Sequence, residues 1–168
     1  MALLGSKIET PPELYLHKLG AALKMENTIL EMLPQLEEHA NDSHLQQALR
    51  RHYEETEMHV LNLEQAFAAL GAEVDDSSCP AIEGLQKEAQ ANLKLVDDSL
   101  NDHVIISCVC ETEHHEIAVY EGLITKAGAM VEQDVVALLQ ENLENEQETL
   151  QRAKQMGQLL AQRTAMAV

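Results

Sequence analysis

Glutamate side chains occupy several positions at which an amphipathic helix would ordinarily carry leucine. When successive residues are placed about 100° apart, Glu26 lies within about 20° of the centre of an apolar stripe of leucines. Glu146 is equally central on a second stripe, and Glu113 and Glu116 occupy consecutive positions on a third. Iron and manganese bind readily to carboxylate oxygens, so this pattern indicates a metal site inside a helical protein.

Imidazole groups lie on a fourth stripe. This stripe contains His52 and His59, with Glu55 at its edge. A single buried histidine is more typical of a hydrogen-bonded core residue than of a ligand, so we place His52 beside the site. Tyr120, one turn after Glu116, is either a buried tyrosine or a hydrogen-bond donor beside the same site.

The buried carboxylates need a positive charge beside them. Taking an ion out of water costs several kcal/mol, and no Lys or Arg lies on the four stripes. A metal ion is the usual neutralising group in such a place, and this oxygen-rich set differs from the Cys/His sets of structural zinc sites. We therefore expect iron or manganese, held by Glu26, Glu55, His59, Glu113, Glu116 and Glu146.

The carboxylates are also expected at one depth in the protein. Glu26 and Glu55 lie about 15 residues on either side of the first predicted turn. Glu116 and Glu146 lie about 15 residues on either side of the second. At 1.5 Å per residue these distances are roughly 21–24 Å, so antiparallel helices would bring the four side chains to one level.

Two motifs that resemble ligand patterns are rejected. Glu111 and His114 match the spacing Glu-x-x-His, but Glu111 faces away from the apolar stripe. Cys108 and Cys110 are two residues apart, so their side chains diverge on a helix. The three cysteines fall short of the four that a rubredoxin-type iron site needs, and their odd number favours a reducing compartment.

Composition excludes several classes of partner. The 168 residues include 29 Asp+Glu against 11 Lys+Arg, giving a net charge of −18. Such a charge disfavours nucleic acid and anionic membranes as partners, since both are bound largely through Lys and Arg. No apolar run approaches the roughly 18 residues of a membrane span, and the start of the chain lacks a signal-peptide core. We expect a cytoplasmic protein.

Start and stop signals predict the helices that carry these residues. Thr10 to Glu13 and Ser43 with Gln46 form capping boxes, and Gly71 and Gly128 are fitting helix ends. The predicted elements are long helices from Thr10 to about residue 39, from Ser43 to Gly71, from Ser99 to Ala127 and from Asp134 to Ala165, with a short helix over Ala81–Leu93. Short turns join the first pair and the last pair, and a long crossover joins the pairs. This connectivity predicts an all-α, ferritin-like four-helix bundle, with residues 1–168 as one domain.

Several stretches resemble the YciE/YciF group of bacterial ferritin-like proteins. They occur in the same order along nearly the whole chain: Met25 to Leu30, His52 to Thr56, Cys79 to Leu85, Glu113 to Tyr120, and Leu143 to Glu146. The resemblance implies a bundle with an extra short helix, a homodimer, a link to stress responses and a di-metal site like that of rubrerythrin. Carried over by position, it assigns carboxylate ligands to Glu26, Glu113, Glu116 and Glu146.

Two departures from the wider ferritin-like pattern leave the number of metal ions open. That pattern has Glu-x-x-His on the second helix, whereas Glu55 and His59 are four apart. Thr149 stands where a rubrerythrin has histidine. A site with one metal ion therefore remains an alternative to a site with two.

Three functions follow from these observations. The first is redox chemistry with peroxide or dioxygen at a di-metal centre, for which an external electron donor is required because no donor domain is fused. The second is iron storage, which would need a cage of many subunits. The third is an interaction protein whose bundle has lost its chemistry, with an acidic surface that mainly provides solubility.

Overall fold

A computed structural model describes residues 7–75 and 77–166, which form α-helices, one short 3-10 helix and connecting turns. Within those ranges there is no strand. The helices are α1 (Pro11–His39), α2 (Ser43–Ala69), α3 (Pro80–Leu95), α4 (Asn101–Ala129) and α5 (Gln133–Met166), with the 3-10 helix at Asp98–Leu100. The predicted all-α bundle, with a short helix in the crossover between its two helix pairs, is confirmed.

Two of the predicted helix starts have different outcomes. At α1 the Thr10 side chain accepts from the backbone N–H of Glu13, and the Glu13 side chain accepts from that of Thr10, as the capping box predicts. At α2 the prediction was wrong, because Ser43 is already helical and Asp42 is the cap. The Asp42 carboxylate accepts from the backbone N–H of His44 at 2.7 Å. The negative charge of a carboxylate at this position also interacts favourably with the positive end of the helix dipole.

Of the two glycines predicted to end helices, one does so and the other does not. Gly71 follows α2 with a left-handed φ of 64°, a conformation that costs glycine little. Gly128 does not end α4, which continues to Ala129, and Val131 takes the left-handed conformation with φ 65°. The backbone N–H of Glu132 then donates to the carbonyl of Ala127 at 3.1 Å, so the turn is closed by hydrogen bonds that offset the strain at Val131.

Four long helices pack around one core. α1 lies along α2 and α4 along α5, and contacts of α2 with α5 and of α1 with α4 close the bundle. α3 packs on the outside against α4 and α1. The buried Asp102 of α4 accepts from the backbone N–H groups of Asn41 and Asp42, at 2.7 and 3.1 Å, so the α1–α2 turn is anchored to the second helix pair.

The described part of the chain contains no helix with the length and apolar character needed to cross a bilayer. The middle of the bundle is itself strongly polar. Acidic, imidazole and amide side chains are buried there among leucine, isoleucine and tyrosine.

Candidate metal centre

Two overlapping groups of buried side chains lie in the middle of the bundle. In each group, one potential ligand atom of every residue lies within 4.8 Å of those of the others. We call the first group site A and the second site B. Site A consists of Glu26, His59 and Glu146, and site B of His52, Glu113, Glu116 and Glu146. Because Glu146 belongs to both, the two sites form one centre.

All four long helices contribute to this centre. α1 supplies Glu26 and α5 supplies Glu146, while α4 supplies two glutamates three residues apart, which face the same side of the helix. α2 supplies His52 and His59, which are seven residues apart and therefore lie on one face, two turns apart. Each of these six residues is at most 3% exposed, so water contributes little to the solvation of its side chain.

Carboxylate and imidazole groups in the centre lie close together without forming hydrogen bonds to one another. Nδ1 of His59 lies 2.9 Å from Oε1 of Glu146 and 3.7 Å from Oε2 of Glu26. Nε2 of His52 lies 3.0 Å from Oε1 of Glu113. These contacts lack hydrogen-bond geometry, and both carboxylate oxygens of Glu113, Glu116 and Glu146 are without a hydrogen-bond partner.

Buried carboxylates without hydrogen-bond partners are suited to binding a cation. Buried polar atoms are normally hydrogen-bonded, and an unpaired buried charge is costly. Here oxygen and imidazole nitrogen atoms are grouped within ligand distance of one another and left unpaired, which is the arrangement that a metal ion among them would require. The set of four carboxylates and two imidazoles fits iron or manganese.

Burial and mutual repulsion raise the pKa of two carboxyl groups. Burial raises the pKa of Glu113 to about 8, although the charge of His52 opposes the shift. Burial, together with the charges of Glu146, Glu26 and Glu113, raises the pKa of Glu116 well above its usual value. Without a cation, burial therefore disfavours the charged form of both side chains.

The carboxylate neighbours raise the pKa of both histidines against the effect of burial. Burial alone would lower the pKa of His52, but the charge and close contact of Glu113 raise it to about 9. Burial also opposes protonation of His59, whose contacts with Glu146 and Glu26 raise its pKa to about 10. Although burial disfavours its charge, the contact with His59 lowers the pKa of Glu146 to about 2. Protons on the histidines thus supply the positive charge that a metal ion would otherwise supply.

A hydrogen-bond network surrounds site A. The Tyr120 hydroxyl donates to Oε1 of Glu26, and the Asn142 amide donates to the Tyr120 oxygen at 3.0 Å. Asn142 also donates to the backbone carbonyl of His59 at 3.2 Å and accepts from Asn62 at 2.8 Å. The sequence prediction placed Tyr120 beside the site but missed both asparagines. The available signal was the position of Asn142 on the α5 stripe, one turn before Glu146.

Site B borders a cavity instead. The cavity has a volume of about 30 Å³ and is lined mainly by apolar side chains of α2, α4 and α5. Its polar lining is confined to His52, Thr149 and Arg152. A space of this size is large enough for one or a few water-sized molecules. Site B therefore has room beside it for a small molecule.

Residues 10–166 match the protein family described as a domain of unknown function, DUF892. The chain belongs to the DUF892 family. It is 27% identical over 144 residues to Protein YciF of Escherichia coli strain K12, covering 84% of this chain and 87% of that protein. The resemblance to the YciE/YciF group is thereby confirmed.

Two solved structures share the fold of this DUF892 chain. One is YcfI from Rhodopseudomonas palustris, described as a candidate structural protein, with a TM-score of 0.86 and 34% identity. The other is the crystal structure of the E. coli stress protein YciF, with a TM-score of 0.85 and 26% identity. Each comparison covers 89% of this chain and 96% of the other.

The structure brings together five of the six predicted ligands. Glu55 lies outside both sites, and its carboxylate accepts from Nε of Arg51 at 2.8 Å and from Nη2 of Arg152 at 3.1 Å. His52, which we had placed beside the site, is a member of site B. Arg51 and Arg152 explain the difference, because they neutralise Glu55 without a metal ion.

The two rejected motifs lie outside the centre. Glu111 and His114 are exposed on the surface of α4. Cys108 and Cys110 belong to neither site, although Cys108 is buried. Among the described residues, the grouped ligand atoms are therefore carboxylates and imidazoles, without a thiol.

Proposed function

We propose that this DUF892 protein binds two ions of iron or manganese in sites A and B, with Glu146 as the shared ligand. The observation that carries the proposal is the set of unpaired carboxylate oxygens in two overlapping groups. A bundle without bound cations would have little reason to bury four such carboxylates on one level. The predicted ligands Glu26, His59, Glu113, Glu116 and Glu146 are retained in the proposal, and His52 takes the place of Glu55.

The proposed activity is the reduction or dismutation of peroxide, or a reaction with dioxygen, in the stress response. When bound, two redox-active metal ions supply electrons to the oxygen species and accept them again. The side chains of sites A and B would hold the ions and keep the centre nearly free of solvent. A reductant must come from an external electron donor if the reaction consumes electrons.

Site B is the side from which we propose that a small oxidant approaches. Its cavity adjoins His52, and the surrounding apolar wall favours a small uncharged molecule over an anion. Arg152 at the cavity is held by Glu55 and by the Thr149 hydroxyl, at 3.1 and 2.8 Å. The contact with Glu55 partly neutralises the guanidinium charge and reduces its attraction for anions.

Peroxide loss with metal-free, iron-loaded and manganese-loaded protein tests this activity. We expect the rate to follow bound metal rather than protein. Glu113→Ala should reduce it sharply, whereas replacing Cys79, Cys108 and Cys110 together by serine should leave it unchanged. Activity that survived Glu113→Ala and vanished in the serine variant would contradict metal-centred chemistry.

A structural role in a homodimer is the second candidate. It is favoured by the description of YcfI as a candidate structural protein. This role predicts a native mass of two subunits that does not depend on metal, together with no peroxide loss in any metal-loaded form. Iron storage would instead require a much larger assembly, so native mass spectrometry separates storage from the other two functions, and the peroxide assay separates those two from each other.

A further inference from the structure

We infer that Asn142 is a positioning residue that fixes the direction of the Tyr120–Glu26 hydrogen bond and thereby leaves Oε2 of Glu26 free for a cation. The inference rests on the proposed metal-binding function. It concerns a residue that belongs to neither group of ligands. Its basis is the chemistry of the atoms that Asn142 contacts.

The backbone carbonyl of His59 decides the orientation of the Asn142 amide. A carbonyl oxygen can only accept, so the Asn142 atom that lies 3.2 Å from it must be the nitrogen. The amide oxygen then faces Asn62, whose amide nitrogen donates to it at 2.8 Å. Flipping the Asn142 amide would place two carbonyl oxygens against each other, which makes the opposite orientation unfavourable.

The orientation of Asn142 determines what Tyr120 can do. The second hydrogen of the Asn142 amide points to the Tyr120 oxygen, which lies 3.0 Å away and therefore accepts. The single hydroxyl proton of Tyr120 is left to donate to Oε1 of Glu26. The direction of each hydrogen bond follows from the one before it, starting at a backbone group that cannot donate.

This arrangement leaves one carboxylate oxygen of Glu26 without a hydrogen bond. With Oε1 held by Tyr120, Oε2 remains without a hydrogen-bond partner and lies 3.7 Å from Nδ1 of His59. Glu26 and His59 are both members of site A, so a cation bound there would contact both residues. Asn142 therefore acts on Glu26 through the Tyr120 hydroxyl.

The test is a titration of the metal-free protein with Mn²⁺ in a double-mutant cycle. Asn142→Leu removes both donors at similar volume, and Tyr120→Phe removes only the hydroxyl. We expect each single change to weaken Mn²⁺ binding at site A by about tenfold or more, as is typical when a hydrogen bond to a ligand is lost. In the Tyr120→Phe background, Asn142→Leu should add less than about twofold.

Two internal controls accompany the cycle. Binding at site B should change less than about twofold, because Asn142 contacts no residue that belongs to site B alone. Thr28→Val replaces another buried polar side chain, whose hydroxyl donates to the carbonyl of Lys24 at 2.8 Å, and should leave both binding steps unchanged. If Asn142→Leu does not fold, as judged by circular dichroism, Asn142→Ala replaces it in the cycle.

The outcomes separate this inference from the proposed function. Failure of the unmodified protein to bind Mn²⁺ would overturn the proposed function itself. Binding by the unmodified protein and equal affinity in Asn142→Leu would overturn only the role of Asn142. Equal fold losses from Asn142→Leu in both backgrounds would show that Asn142 acts independently of Tyr120 and would also overturn the inference.

Discussion

Sites A and B have different surroundings although they share Glu146. At site A, Tyr120 and Asn142 hold the ligands through a continuous hydrogen-bond network. At site B, Glu113 and Glu116 have no hydrogen-bond partner for any carboxylate oxygen, and a cavity adjoins His52. Under the proposed function, site A would hold its ion rigidly and site B would leave room for a reacting molecule.

The largest effect is expected from the shared ligand. Glu146→Ala should abolish binding at both sites, because each loses a carboxylate that no neighbouring residue replaces. Elemental analysis after loading with iron or manganese should show almost no metal. Glu144→Ala is the matched control, since Glu144 is exposed on the same helix and should retain full loading. Metal loss in Glu144→Ala with retention in Glu146→Ala would refute the assignment of the α5 face.

Removing a ligand that belongs to only one site should abolish metal binding at that site and leave the other site occupied. Glu26→Ala takes one of three residues from site A and should leave about one ion per chain, bound at site B. Glu113→Ala should do the reverse and leave the ion at site A. Metal counting by native mass spectrometry distinguishes the two. Complete loss of both ions in either variant would show that the sites do not bind independently, and the comparison between them would fail.

The metal-free protein should lose stability as the pH rises. Glu113, His52 and His59 have folded-state pKa values of about 8, 9 and 10, which are raised above those of the unfolded chain. A raised pKa contributes stability that is present below the unfolded value and disappears as the pH passes the folded one. The loss should therefore extend from about pH 5 to pH 10, at no more than about 1.4 kcal/mol per pH unit for each group.

Glu146 acts in the opposite direction at low pH. Its lowered pKa, about 2, contributes stability that is lost as the pH falls from about 4.5 towards 2. Urea unfolding of the metal-free protein should thus show a maximum in the free energy of unfolding near pH 5. Bound metal should remove most of the decline above that pH, and a stability that rose between pH 6 and 9 without metal would contradict the proposed charge balance.

Acid should release the metal before the helices unfold. Protons compete with metal ions for the carboxylates and imidazoles, while protonated carboxyl groups are tolerated inside the bundle. Circular dichroism and metal content, measured on one acid titration, should show a metal-free helical protein around pH 5. Loss of helix at or before metal release would indicate that the metal mainly stabilises the fold.

The smallest effect is expected at Glu55, although the sequence predicted it as a ligand. Its carboxylate is paired with Arg51 and Arg152 and lies 4.0 Å from Nδ1 of His52. Glu55→Gln should therefore retain two metal ions and change stability by less than about 1 kcal/mol, as is usual for partly exposed ion pairs. Loss of one ion in this variant would restore the sequence-based assignment and exclude His52 as its replacement.

The helical periodicity predicted most of the bundle and the convergence of Glu26, His59, Glu113, Glu116 and Glu146, because angle and depth on a helix follow from residue number. The choice between Glu55 and His52 could not be predicted, since it depends on Arg152 from another helix. The Asn142 network was also beyond sequence reasoning. An amide on a stripe has no fixed partner until the neighbouring helices are in register.

The central claim is that sites A and B bind two metal ions through Glu146. The most direct measurement is the number of Mn²⁺ or Fe²⁺ ions bound per chain when the metal-free protein is titrated near neutral pH, with Glu146→Ala in parallel. Two ions per chain in the unmodified protein, and none in Glu146→Ala, are the expected result. No binding by the unmodified protein, or equal binding by both proteins, would contradict the claim.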